Sequence, residues 1–316
     1  MKTLTSVLAI IGGLAGGCTG NTSGSTNTTC QALTTKPAVA PAAWPGTVFT
    51  IVMENHSRGE ILGNASAPYI NALAARGAVA AGYHDSFVHP SEPNYLWMVA
   101  GENFGVLDDA DPSSHPLAST SHIADQLELG GLTWKTYQES MGDPCGLTSH
   151  GKYAAKHNPF AFFADINGWD GHAFQPSERC DTHVLDYSEL AVDIAAHAIP
   201  RYAFITPNLD HDMHDGSIAD GDAWLSREIP KILATDAYTH GGALFLFWDE
   251  GGGSPASDDP PFIVISPNIR PGTTSNVDYD TSSYLKTVQT MLGVDPLPCD
   301  PTGGASTMAD LFTVPM

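Results

Sequence analysis

Residues 47–53 form a nearly unbroken β-prone run, Thr-Val-Phe-Thr-Ile-Val-Met, that breaks off at Glu54-Asn55-His56. A run without polar alternation predicts a strand buried on both faces. The same grammar recurs at 201–206, running into Pro207-Asn208, at 242–248, ending at Asp249-Glu250-Gly251, and at 262–266. Residues 78–88 read as a further strand with its trailing loop, and 132–137 as another. Helical segments are predicted at 66–76 before Gly77, at 121–129 before Gly130-Gly131, at 187–197, at 220–234 with a kink at Pro230, and at 281–292. Residues 142–181 mix aromatics, turn formers and two cysteines, and predict an inserted loop or cap.

Strands alternating with helices predict an α/β fold around a mostly parallel sheet. In such sheets ligands bind outside the carboxyl ends of the strands. The runs ending at Glu54, Asn208 and Asp249 therefore place carboxylates, amides and imidazoles on one rim.

His89-Pro90 leads into Ser91-Glu92-Pro93-Asn94-Tyr95, and the apolar stretch that follows reads as a helix ending near Gly101. Ser91 is expected at the N-cap with Pro93 in the first turn, where a missing N–H costs nothing. A hydroxyl there faces free N–H groups and the positive end of the helix dipole, against which an anion can be held. Taken alone, Ser91 reads as a plain capping serine.

The 316 residues are 42% hydrophobic and 15% charged, enough for a sizeable core. Thirteen Lys and Arg against 35 Asp and Glu give a formal charge of -22, which argues against a nucleic-acid partner. A small phosphorylated substrate stays open if something local reverses the sign, and a metal ion is the usual device.

Residues 1–18 read as a signal peptide, with Lys2 ahead of a short apolar core. Leu14-Ala15-Gly16-Gly17-Cys18 resembles a lipobox, so the chain is expected to be exported, either as a bacterial cell-envelope lipoprotein tethered through Cys18 or as a freely secreted protein. Membrane contact is expected only through such an anchor. Residues 19–45, rich in Thr, Ser, Gly, Asn and Pro, read as a flexible linker, and 46–316 as the catalytic domain carrying the 142–181 insertion. Cys145–Cys180 and Cys30–Cys299 are the expected disulfides among the three pairings that four cysteines allow.

Glu54-Asn55 and Asp249-Glu250 offer hard oxygen ligands from two strand ends, which suits a divalent cation. Each pair also suits a helix cap or a solvent-facing turn. Asp210-His211-Asp212-Met213-His214-Asp215 gathers two imidazoles and three carboxylates that could bind metal or phosphate or supply a general acid. His56 and His89 flank the other clusters.

Met53-Glu54-Asn55-His56-Ser57, His89-Pro90-Ser91-Glu92-Pro93-Asn94-Tyr95 and Lys156-His157-Asn158-Pro159-Phe160 occur in that order. They are followed by Pro207-Asn208-Leu209, Asp212-Met213-His214-Asp215, Gly221-Asp222-Ala223-Trp224-Leu225 and Trp248-Asp249-Glu250-Gly251. Together they resemble the phosphoesterase family of bacterial acid phosphatases and phospholipases C, within the alkaline phosphatase superfamily. The resemblance implies a three-layer α/β/α sandwich and metal-dependent phosphate-ester hydrolysis through a phosphoserine. It implies Ser91 as nucleophile and Glu54, Asn55, Asp249 and Glu250 as metal ligands. Asp212 and His214 would act on phosphate or the leaving group, and Asn94, His56, His89 and His211 would stand at the substrate. Thr281 and Ser282 occupy a stretch where many relatives carry a histidine, so the resemblance does not carry a second metal. A phosphomonoesterase is the first expectation. A phosphodiesterase or phospholipase C acting on lipid headgroups is the alternative, and a non-catalytic surface binding protein a more distant one.

Overall fold

The computed structural model describes residues 44–118, 121–252, 259–294 and 305–316. Eight strands form one sheet: β1 Val48–Met53, β2 Ala78–Ala80, β3 Trp134–Gln138, β4 Val184–Asp186, β5 Tyr202–Thr206, β6 Ala243–Trp248, β7 Phe262–Ile265 and β8 Thr273–Ser275. Their order is β4-β3-β5-β1-β6-β7-β2-β8. All pairings are parallel except those that β7 makes with β6 and β2. The mostly parallel sheet is as expected. The reversal of β7 and the three-residue strands β4 and β8 are not visible in the sequence, because such short pieces carry no periodicity.

Every residue of β1, β5 and β6 is buried, which is why these runs show no polar alternation. Successive side chains feed two separate cores. Val48 and Val52 of β1, with Phe204, Phe245 and Phe247, pack under the helices Ser91–Ala100, Ile123–Leu129 and Thr281–Leu292. Phe49, Ile51 and Met53, with Ile205, Leu244 and Leu246, pack under Pro68–Arg76, Ser188–Ala195 and Ile218–Leu233. Helices therefore cover both faces of the sheet, giving an α/β/α sandwich.

The 142–181 segment is built of turns, two 3-10 helices (Ala155–His157 and Pro159–Phe162) and two short helices (Ala164–Asn167 and Glu178–His183). It is more than a cap: Ala155, Phe160, Phe162 and Phe163 are fully buried within the first core. Cys145 and Cys180 are joined in a disulfide, as expected, and Cys145 N–H also donates to Val184 O at 2.9 Å. Cys18, Cys30 and Cys299, and with them the signal, lipobox and second-disulfide expectations, lie outside the described residues.

The disulfide closes a segment of 35 residues that otherwise has little regular structure. Replacing both cysteines by serine is expected to lower the unfolding free energy by roughly 3–4 kcal/mol, chiefly by freeing the unfolded chain. Urea denaturation checks this; an unchanged midpoint would show that the aromatic core alone holds the segment.

Candidate active site at the carboxyl ends of β1, β5 and β6

Parallel pairing in register, Met53 opposite Trp248, makes the next residues on both strands, Glu54 and Asp249, neighbours. Asp249 N–H donates to Met53 O at 3.0 Å, and Asn55 N–H to Asp249 Oδ1 at 3.3 Å. Asn55 makes this turn with φ 46, a left-handed conformation that Asn adopts more readily than most residues. Glu54 N–H donates to Asp212 O at 2.8 Å, which ties the loop after β5 to the end of β1. That loop closes tightly: a side chain at Gly216 would meet Asp210 O at 1.9 Å, so only glycine fits.

Glu54, Asp212 and Asp249 are all fully buried. Ser91, almost completely buried, donates its hydroxyl to Glu54 Oε2 at 3.2 Å. Tyr95, one turn further along the same helix, donates its hydroxyl to Glu54 Oε1. Ser91 is the first helical residue and Pro90 the cap, a shift of one from the expected N-cap. Its hydroxyl still lies in the first turn, where N–H groups are free of intrahelical partners.

His157 completes the cluster. Its ring stacks on Tyr95 at 4.9 Å, with Nε2 3.5 Å from Glu54 Oε1 and Nδ1 3.6 Å from Asp212 Oδ2. Sequence reasoning missed both His157 and Tyr95 as site residues. Tyr95 reads as an apolar helix residue, and the signal for His157 was the motif Lys156-His157-Asn158-Pro159-Phe160.

Burial raises the carboxyl pKa of Glu54 well above its ordinary value, and Asp249 and Asp212 raise it further. Burial likewise raises Asp212 and Asp249, the latter also repelled by Glu250. His157 is held well below the ordinary imidazole range by burial, then by Lys156 and His214. Burial works against the Lys156 ammonium, but its bond to Asp109 at 2.7 Å and the fields of Glu54 and Asp249 hold its pKa above the ordinary value.

The donors fit a divalent cation. Asp249 Oδ2, Asp212 Oδ2 and both ring nitrogens of His157 are buried without hydrogen-bond partners. One edge of the Asn55 amide lies 2.9 Å from Glu54 Oε2 and 3.1 Å from Asp249 Oδ1. With its NH2 on that edge, the amide donates to both carboxylates. With its oxygen there, three oxygens converge at the spacing found around a small cation. Glu54, His157 and Asp212 also offer ligand atoms within 4.8 Å of one another.

Other expected site residues are placed differently. Glu250 is bonded to His89 Nδ1 and to Asn94 Nδ2, the latter at 3.3 Å, so its carboxylate is engaged away from Glu54. Asn94 also donates to Val88 O at 2.6 Å. His214 stands at the exposed edge, its ring 5.9 Å from that of His157 and its Nδ1 3.0 Å from Asp215. His56 lies 3.6 Å from Glu60. His211 is not brought to the cluster: Glu139, at the end of β3, takes its Nδ1 at 2.8 Å, and its ring faces Trp224 in a separate cleft.

The chain matches the Phosphoesterase family over residues 60–295, a span that begins after Glu54 and Asn55. It is 35% identical to a phosphatidylinositol-3-phosphatase of Mycobacterium tuberculosis, over 79% of this chain and 77% of that one. It is 29% identical to a phosphate-repressible acid phosphatase of Penicillium chrysogenum, over 58% of this chain and 43% of the relative. A probable acid phosphatase of Kluyveromyces lactis is also 29% identical, with 76% and 56% covered. The chain thus spans about half the length of these two fungal relatives. Among solved structures, a phosphonate monoester hydrolase of Silicibacter pomeroyi superposes with a TM-score of 0.55 at 13% identity, covering 85% of this chain and 76% of that one. An alkaline phosphatase superfamily protein of Vibrio parahaemolyticus gives 0.56 at 13% identity, covering 84% and 72%. The chain belongs to the phosphoesterase family and is a hydrolase acting on phosphoric ester bonds.

The raised carboxyl pKa values carry a sign. A folded-state pKa above the unfolded one gives stability that is full below the unfolded value and is lost as pH rises through the folded value. With a chelator present, the melting temperature is therefore expected to fall as pH rises above the ordinary carboxylate range, and Glu54→Gln to flatten that slope. Calorimetry checks it; equal slopes in both proteins would show that the buried cluster is not the source.

Proposed function

We propose that this phosphoesterase hydrolyses phosphate monoesters, with Ser91 as the nucleophile and a divalent cation held by Glu54, Asn55 and Asp249. The observation that carries the reading is the buried Ser91 hydroxyl, directed at Glu54 within a carboxylate cluster at the start of a ten-residue helix. Bound there, a divalent cation lowers the pKa of a nearby hydroxyl and offsets the charge of the phosphoryl oxygens.

The residues divide the remaining work. The Ser91 hydroxyl lies 3.2 Å from Glu54 Oε2, which holds Oγ at the cluster; with its pKa lowered, the hydroxyl gives its proton to water as Oγ attacks phosphorus. The positive helix end at Ser91 favours the phosphoryl oxygens through its dipole, since Glu92 N–H is taken by Asp109 and Pro93 has none. As the Ser91 Oγ–P bond forms, the bond to the leaving oxygen breaks, and that oxygen needs a proton. His214 is the donor at the exposed edge, with Asp215 engaging Nδ1 and the other ring nitrogen left for the leaving oxygen. His157 and Asp212 line the inner wall, where a neutral imidazole donates a hydrogen bond without adding charge. Water then attacks the phosphoserine, releasing phosphate and restoring the Ser91 hydroxyl.

The substrate class is a small phosphorylated molecule or a phosphorylated headgroup. A lipid phosphomonoester is favoured as a second reading by the mycobacterial relative's name and by Phe87 and Leu107, which are 61% and 66% exposed on the loops either side of the Ser91 helix. Both readings use the same monoester chemistry.

Ser91→Ala is expected to lower turnover of an aryl phosphate by more than about 10³-fold while the fold persists. Wild-type turnover in the folded variant would remove Ser91 from the mechanism. His214→Gln is expected to cost about 10²-fold with an alkyl phosphate, and much less with an aryl phosphate whose phenol leaves unprotonated. Equal losses on both substrates would show that His214 is not the proton donor. A chelator should silence turnover reversibly, and a panel of monoester, diester and phosphatidylinositol phosphate, assayed with the metal content, separates the substrate readings.

A further inference from the structure

A second cluster of metal-ligating groups lies beside the first and takes no part in the chemistry above. Glu92, the residue after Ser91, is fully buried, yet its Oε2 has no hydrogen-bond partner. Its Oε1 lies 3.3 Å from His115 Nδ1, which is in turn 3.5 Å from Asp108 Oδ1. Glu92, Asp108 and His115 bring one ligand atom each to within 4.8 Å of one another. Ligand atoms on a tetrahedral ion with bonds of about 2.0–2.1 Å are themselves about 3.3 Å apart.

The charges around the cluster do not balance. The carboxyls of Asp108, Asp109 and Asp111 all press on Glu92. Lys156 is the nearby ammonium, and its Nζ is taken by Asp109 at 2.7 Å, while the other Asp109 oxygen accepts Glu92 N–H at 3.0 Å. Asp111 is tied to Ser149 N–H at 2.8 Å. A buried carboxyl with an unused lone pair and acidic neighbours either keeps its proton or shares its oxygens with a cation.

We propose that Glu92, Asp108 and His115 form a second divalent-cation site, separate from the Glu54 cluster. One imidazole nitrogen with two carboxylate oxygens suits Zn²⁺ or Mn²⁺, not the all-oxygen shell that Ca²⁺ takes. Asp108 and His115 are side chains 64% and 31% exposed, which gives the ion a path from solvent to the buried Glu92. The ion fastens the loop after the Ser91 helix to that helix. The same loop carries Asp109, which positions Lys156 next to the catalytic carboxylates. The role is structural, and it extends to catalysis only through that positioning.

Zn²⁺ binding to the chelator-stripped full chain tests the site, with equilibrium dialysis counting saturable equivalents per chain. The proteins are the wild type, Asp249→Asn, the pair Asp108→Asn and His115→Gln, and all three changes combined. One equivalent is expected to survive in Asp249→Asn and to vanish in the combined variant. In Asp249→Asn, Zn²⁺ should also raise the melting temperature, a rise that the combined variant lacks. The proposal is overturned if Asp249→Asn holds no Zn²⁺, or if the Asp108→Asn and His115→Gln pair binds as much as the wild type. Should Asp249→Asn instead lose nothing, the reading of the catalytic site fails and the loop site stands or falls on the other pair. Because Asp108 is an exposed side chain, Asp108→Asn alone keeps the fold and should weaken the loop site at least tenfold.

Discussion

Two carboxylates forced together in the dark of the protein govern this structure. Register between β1 and β6 sets Glu54 beside Asp249, and the bond from Glu54 N–H to Asp212 O brings a third acid to the same place. None of the three can reach water, since all are fully buried. At 4 Å, like charges repel by about 4 kcal/mol even at an effective dielectric of 20, so the surroundings must supply donors or positive charge. Ser91, Tyr95 and the Asn55 amide supply donors. The helix end supplies part of a charge, and Lys156 lies close enough to lower the cost for Glu54 and Asp212.

The donors depend on one another in turn. Tyr95 can reach Glu54 because its ring is clamped against His157, and His157 is delivered by a 3-10 turn whose neighbours Phe160 and Phe162 sit in the core. The segment that looks like surface ornament in the sequence thus sets the geometry around the Ser91 helix. On the other side, Glu250 is engaged locally by hydrogen bonds to His89 and Asn94. The acidic pair Asp249-Glu250 is therefore split: one carboxylate joins the central cluster and the other braces the entry to the helix.

Legibility followed the regular elements. Continuous apolar runs revealed β1, β5 and β6, and because a parallel strand presents its next residue at a fixed rim, Glu54 and Asp249 could be paired from sequence alone. Asp212 was reachable the same way. Glu250 and His211 were not, since a side chain in a turn takes whichever partner the fold offers, and Glu139 arrives from β3, far away in sequence. Tyr95 was hidden by its hydrophobic neighbours, and His157 by a segment without period. Glu92 was hidden more deeply: a residue after a serine in a helix start looks like a dipole-favoured acid, and only the folding back of the next loop exposes its surplus of charge.

The distribution of charge also constrains how phosphate can enter. A chain with formal charge -22 repels an anion at long range, and the rim it must approach ends in buried acids. A half-charge at a helix end cannot offset three carboxylates. Two agents can: a cation among Glu54, Asn55 and Asp249, or protons on carboxyls whose pKa burial has already raised. They compete for the same oxygens, because a protonated carboxyl is a poor ligand. On the proposed reading, acidic conditions ease the approach of phosphate while loosening the hold on metal, and activity would persist only where the cation still wins. That balance is set by burial at Glu54 and Asp249, the same two positions that the sheet register brings together.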